Sequence, residues 1–134
     1  MKFRNPLPTV DIIIKMSKGI VLIKRKNRPL GWALPGGFID YGEAAETAAR
    51  REAKEETSLV ITGLKQFHTY SAPSRDPRFH TLSVVFTARG NGTPRARDDA
   101  RKIGVFDRLH MPVRLAFDHK KILSDYYRRK YRKW

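Results

Sequence analysis

Short apolar runs separated by polar turns fill the first third of the chain. Residues 9–15 (Thr-Val-Asp-Ile-Ile-Ile-Lys) are rich in β-branched side chains and predict a strand. Ser17-Lys18-Gly19 predicts a turn, and residues 20–25 (Ile-Val-Leu-Ile-Lys-Arg) its hairpin partner. Asn27, Arg28, Pro29 and Gly31 signal a loop. Trp32 to Pro35 reads as a short strand leading into a tight turn at Gly36-Gly37. Ala44, Ala45, Ala48, Ala49 and Ala53, with charges between them, predict a helix over 44–57. Residues 59–71 and 81–88 predict strands, joined by an irregular loop through Pro73 and Pro77. A turn at Gly90-Asn91-Gly92, a polar loop over 94–101 and a short strand at 103–106 follow. Ile122, Leu123, Tyr126, Tyr127 and Tyr131 lie at helical spacing and predict a final amphipathic helix over 117–131. Strands, helix, strands, helix imply an α+β domain layered around a mixed β-sheet.

The 134 residues fit one domain, 1–134, with no internal repeat and no linker. The absence of cysteine removes disulfides, thiolate zinc sites and cysteine nucleophiles. Asp11 interrupts the first apolar segment, so no signal peptide is expected. No run approaches the roughly 18 apolar residues of a membrane helix. A soluble, cytoplasmic protein with no membrane partner is the expectation. The net charge of +15 attracts anions, whether nucleotides, polyphosphates, nucleic acids or acidic surfaces.

Against that basic background the glutamates are concentrated. All five, Glu43, Glu46, Glu52, Glu55 and Glu56, fall in one 14-residue window. Residues 52, 55 and 56 stand at i, i+3 and i+4 and share a helix face. Three like charges so close call for a positive partner or raised pKa values. A hard divalent cation suits them, because magnesium takes oxygen ligands, uses few protein carboxylates and leaves room for substrate phosphates. The plain alternative is a solvated face paired with Arg50, Arg51 and Lys54.

The run Gly37, five residues, Glu43, seven residues, Arg51-Glu52-Ala53-Lys54-Glu55-Glu56-Thr57-Ser58-Leu59 closely resembles the Nudix hydrolase signature. In that pattern Ala53 replaces a bulky aliphatic and Ser58 a glycine; both changes touch packing and helix termination rather than ligands. The resemblance implies a Nudix-type α/β/α sandwich and hydrolysis of the pyrophosphate of a nucleoside diphosphate linked to another group. It implies Mg²⁺ or Mn²⁺ held by Glu52, Glu55 and Glu56, with Glu55 or Glu56 also a general base and Asp99 a weaker alternative. Arg51 joins the catalytic set by fastening the loop to the helix, through an ion pair with a residue such as Glu43. Glu46 belongs to the solvated face.

A second stretch, Tyr70 to His80 with its Arg75-Asp76-Pro77-Arg78 run, resembles a loop of ADP-ribose pyrophosphatases, as do Asp98-Asp99-Ala100 and Leu115 to His119. This points to ADP-ribose, cut to AMP and ribose 5-phosphate. Gly36, Gly37, Trp32, Arg75, Arg78 and Asp99 are then the substrate-binding candidates, the arginines because guanidinium meets phosphate at two points. Trp32, Phe38, Tyr70 and Phe79 are candidates to stack on adenine, against a plain role in the core. His80 is expected to be structural, and His68, His110 and His119 show no ligand spacing. Lys102 stands where related enzymes often carry a glutamate. The group also implies a homodimer. The tail over 126–134 interleaves five basic residues with aromatics, which keeps nucleic acid as a less favoured partner and hydrolysis of RNA 5′ ends as an alternative. A non-catalytic ADP-ribose sensor is the third reading.

Overall fold

The computed structural model describes residues 3–97 and 100–131. Seven strands form one mixed sheet: β1 (Leu7–Met16), β2 (Gly19–Arg25), β3 (Trp32–Ala33), β4 (Gly36–Phe38), β5 (Val60–Tyr70), β6 (Thr81–Asn91) and β7 (Ala100–Phe106). The main path runs β3-β2-β1-β6-β5, with β4 on β1 and β7 on β2. β1 and β6 are parallel, from Leu7 opposite Thr81 to Lys15 opposite Arg89; the other pairings are antiparallel.

β1 lies at the centre and is covered on both faces, which explains its unbroken apolar run. Val10, Ile12 and Ile14 point to one side and meet Ala48, Ala49 and Ala53 of helix α1 (Ala45–Thr57). Ile13 points to the other side and joins Ile122 and Leu123 of helix α2 (His119–Tyr127). Each of the three large side chains facing α1 is fully buried, which stabilises the fold by about 1.5–3 kcal/mol apiece. The result is the expected α/β/α layering. Ala53, the small residue in the signature's aliphatic position, is fully buried in the α1 layer. No helix among the described residues is long and apolar enough to cross a membrane.

Several boundaries differ from the sequence expectation, among them β7, which begins at Ala100 rather than at 103. Gly36 and Gly37 lie in β4, paired with Asp11 and Val10, rather than in a turn. Gly90 and Asn91 continue β6 instead of ending it. The last helix spans nine residues, not fifteen. Its start is delayed because Trp32 N–H donates to Arg114 O and Ala116 N–H to Trp32 O, which holds 114–116 against β3. Phe117 then takes a φ of 55°. At the other end Arg129 and Tyr131 have φ near 60°, so the chain leaves helical geometry after Tyr127.

Helix α1 ends on Ser58, whose φ of 64° is left-handed and whose N–H donates to Lys54 O at 3.0 Å. This is the cap that glycine favours, and a side chain there costs roughly 1–2 kcal/mol. The Ser58 hydroxyl returns little, reaching Arg95 O only at 3.5 Å. Ser58→Gly is therefore expected to stabilise the protein by about 1 kcal/mol, read as a melting temperature higher by about 3 °C. An unchanged or lower midpoint would refute it.

Candidate active site

The signature glutamates meet strand β4, and the glycines there are needed for close approach rather than for a turn. A Cβ on Gly37 would stand 2.6 Å from the Glu52 carboxyl carbon. On Gly36 it would collide with Val10 O. With no side chains in the way, Gly36 N–H donates to Glu56 Oε1 at 2.7 Å. Glu56 is 5% exposed. The loop after β6 runs past the same end of the helix, with Arg95 N–H on Thr57 O and Arg97 N–H on Glu56 O.

Arg51 organises the remaining carboxylates. Its Nε and Nη2 bond both oxygens of Glu43 at 2.7 and 2.8 Å, and Nη2 also reaches Phe38 O at 3.0 Å. Its Nη1 bonds Glu52 at 2.7 Å and Glu55 at 3.3 Å. The expected clamp between loop and helix is present, and the same guanidinium is the positive group set among the glutamates. Glu43, bonded by Arg51 and by Asp40 N–H, is held down at about 2. Glu52 behaves oppositely. Burial pushes its carboxyl up to about 7 although Arg51 opposes the shift, so at neutral pH the residue is poised between charged and neutral forms.

That shift has a consequence for stability. Below pH 4.5, the ordinary value, Glu52 holds its proton in both folded and unfolded chains. Between 4.5 and about 7 the unfolded chain has lost it while the folded chain keeps it, so stability falls as pH rises through this window and levels off above it. In chelator, Glu52→Gln is expected to remove this part of the pH slope of the urea midpoint. Identical slopes for the two proteins would refute the assignment.

Among the described residues no three acidic or histidine side chains already converge on one point. A site for a hard cation does not require that, since magnesium keeps several waters and takes one or two carboxylates. Glu56 is buried, Glu52 is half-buried and Glu55 is half exposed. This donor set fits a divalent ion, with these three as the side chains available to hold it.

On the other side of β4 a narrow cleft is lined by Asp11, Gly36, Gly37, Phe38, Arg78 and Phe117, among others. Phe38 and Phe79 form a tilted pair at 5.9 Å, and both are partly exposed. The Arg78 guanidinium lies over Phe79, Phe117 and Phe38 at 5.0, 5.3 and 5.8 Å. Arg78 also bonds Asp76 through Nε and Nη2, at 3.1 and 2.9 Å. Rings and a half-exposed guanidinium at the mouth of a cleft suit a planar base and a phosphate.

The other sequence candidates are distributed differently. Arg75 is not a free phosphate-binding cation. It is 6% exposed, bonds both Asp118 oxygens at 3.0 and 2.7 Å and Thr81 Oγ1 at 2.7 Å, and lies 3.6 Å from Asp11. Trp32 packs edge-on against Phe106 at 4.9 Å, within the α2-side core. Tyr70 is buried in that core with its hydroxyl on Asp125 at 2.8 Å. Asp76, one later carboxylate, is buried against Arg78. His80 caps Ser71 O, as a structural histidine does. Asp98 and Asp99 lie outside the described residues. Lys102 pairs across β7 with Lys24 of β2 and is exposed.

The residue that spacing did not single out is His119. It is 1% exposed and lines the cleft. Its Nδ1 accepts from Leu34 N–H at 3.0 Å, which places the ring proton on Nε2. That atom has no hydrogen-bond partner among the described residues and stands 3.5 Å from Asp11 Oδ1. Asp11 in turn accepts from the Ser83 hydroxyl. Only tertiary contacts join these three residues, so no local motif reveals them.

A family model, the NUDIX domain, matches residues 5–128. The chain belongs to the Nudix family. Compared with known proteins, this Nudix chain is 46% identical over 129 residues to an ADP-ribose pyrophosphatase of Methanocaldococcus jannaschii, covering 94% of its own length and 76% of the relative's. It superposes on the NUDIX domain of Shewanella oneidensis NrtR complexed with ADP ribose at a TM-score of 0.82, with 31% identity over 95% of this chain and 90% of that one. It also superposes on a bifunctional NMN adenylyltransferase/ADP ribose pyrophosphatase of Francisella tularensis, complexed with AMP and a manganese ion. There the TM-score is 0.79 and the identity 26%, over 96% of this chain but 43% of that one. These likenesses make the chain a Nudix pyrophosphohydrolase, and Nudix hydrolases generally work with divalent metal ions.

Proposed function

We propose that this Nudix hydrolase cuts ADP-ribose to AMP and ribose 5-phosphate. One observation carries the reading: strand β4 lies against a helix face that carries three glutamates and also lines a cleft walled by aromatic rings and a guanidinium, so groups for a metal and groups for a base and phosphate meet on one strand. The 46% identity to an ADP-ribose pyrophosphatase supports the choice of substrate.

In this reading Glu52, Glu55 and Glu56 hold Mg²⁺ or Mn²⁺. When bound, the ion polarises a phosphoryl oxygen and lowers the pKa of a water. Arg51 ties Glu43, Glu52 and Glu55 together and keeps the carboxylate face in register with the loop before the helix. Gly36 N–H fixes the Glu56 carboxylate. Glu55, the most exposed of the three, takes the proton from the attacking water. The new phosphorus–oxygen bond forms as the bridging phosphoanhydride bond breaks, and the displaced phosphate leaves on the other product. Phe38 and Phe79 stack on the base, and Arg78 meets the phosphates or ribose.

The test is incubation with Mg²⁺ and, separately, ADP-ribose, NADH, diadenosine polyphosphates, 8-oxo-dGTP and 5′-triphosphate RNA, with products separated by chromatography. AMP from ADP-ribose, lost in Glu55→Gln, is the expected result. Pyrophosphate released from RNA alone would replace the substrate. ADP-ribose binding without turnover of any compound would leave a sensor.

A further inference from the structure

A cavity larger than the active cleft lies away from the carboxylate helix. It holds about 710 Å³ and lies at the other end of β1, between the β1–β2 turn and the residues that follow α2. Asp11 faces the active cleft while Lys15 faces this cavity. Four residues of strand, about 13 Å, separate them. The volume is ample for a planar base and its sugar.

Its walls carry Lys15, Lys18, Arg108, Arg129 and Lys130, with Phe67, Tyr126 and Tyr127 between them. None of the five cations has a carboxylate within 4.0 Å among the described residues. This is unlike Arg51, Arg75, Arg78 and Lys121, each of which has one. Asp107, the one acid among the lining residues, is engaged by His110 and by two backbone N–H groups. Arg108 lies over the Tyr127 ring at 5.5 Å, Phe67 and Tyr126 meet edge-on at 6.1 Å, and Tyr126 meets Tyr127 at 5.3 Å. The positive φ of Arg129 belongs to the break that ends α2 here, so Arg129 and Lys130 line the cavity and do not continue a helix.

We propose that this groove binds single-stranded nucleic acid, independently of the carboxylate helix. Cations with no carboxylate in salt-bridge contact recruit phosphates and release their condensed ions, and the rings between them offer faces to bases. A polymer fits better than a mononucleotide. Five cations on one cavity exceed the charge of one nucleoside monophosphate.

The experiment is fluorescence anisotropy of a fluorescein-labelled twelve-nucleotide oligouridylate from 50 to 300 mM salt, in EDTA so that no metal bridges the strand to the glutamates. With four to five phosphate contacts, the plot of log affinity against log salt is expected to have a slope of about −3. The double variant Lys18→Gln with Lys130→Gln is expected to bind at least tenfold more weakly at the lowest salt and to lose about 1.4 from the slope, with its melting temperature unchanged. Equal affinity and slope in the variant would overturn the proposal, since binding would then come from diffuse surface charge. Complete displacement of the strand by AMP at the same nucleotide concentration would also overturn it, in favour of a mononucleotide site.

Discussion

Glu56→Gln is expected to lower kcat on ADP-ribose by about 10²–10⁴-fold, the scale of a positioned group that transfers a proton or meets charge in the transition state. The amide keeps an oxygen that can accept the Gly36 N–H and has nearly the same shape, so the helix and β4 stay joined. Because Glu56 is buried, water restores little of the lost charge's effect. The metal concentration giving half-maximal rate should rise together with the fall in kcat, whereas a substrate-contact role would change KM for ADP-ribose alone. A kcat within threefold of the parent's, with an unchanged metal titration, would remove Glu56 from the metal and catalytic set. Thermal melting in chelator serves as the folding control and should move by no more than a few degrees.

Arg75→Leu is expected to be the most destabilising single change near the cleft. The guanidinium bonds Asp118 at two points and Thr81 at a third, with Asp11 at 3.6 Å. Removing it leaves the buried Asp11 on β1 and the half-buried Asp118 at the start of α2 without their cation. Breaking such a pair from one side costs about 3–5 kcal/mol, which should lower the melting temperature by more than about 10 °C. Arg75→Lys keeps the charge but not the two-point geometry, and should fall between. The contrast with a phosphate-binding role is direct. That role predicts a raised KM at an unchanged melting temperature; the observed pairing predicts the reverse for the lysine variant. A Leu variant that melts with the parent would show that Asp118 and Asp11 do not need this partner.

Much of the candidate site is a matter of local spacing and was legible for that reason. Glu52, Glu55 and Glu56 share a face because a helix turns every 3.6 residues, and the alanine-rich run makes that helix. Arg51 reaches Glu43 and Glu55 from within the same stretch, so the loop clamp and the charge cluster both follow from residues 37–59. The departure at Ser58 pointed to a left-handed cap, and its φ is that of such a cap. The strands were visible through β-branched runs, and the two helices through alanine content and period. Their order implied a layered mixed sheet.

Other features rest on contacts between distant parts of the chain, which periodicity cannot encode. The parallel register of β1 on β6 sets residues more than seventy positions apart side by side, and so buries Asp11 beside Ser83, Arg75 and His119. Arg75 looked like a substrate residue in its own loop, yet it finds Asp118 43 residues later and becomes part of the framework. Trp32 and Tyr70 carried the chemistry of base stacking, and packing on Phe106 and bonding to Asp125 drew them into the core. Gly36-Gly37 predicts a turn from composition alone; pairing with β1 made it a strand, because the missing side chains give room to Val10, Asp11 and Glu52. The basic tail was evident as a charge run, but its five-cation cavity exists only because the β1–β2 turn and the end of α2 meet. Residue type and spacing thus set which chemistry the chain can perform, since helix geometry is local. Which side chains face solvent, cleft or core was settled by sheet register and packing, where the cost of an unpaired buried charge selects partners regardless of their distance in sequence.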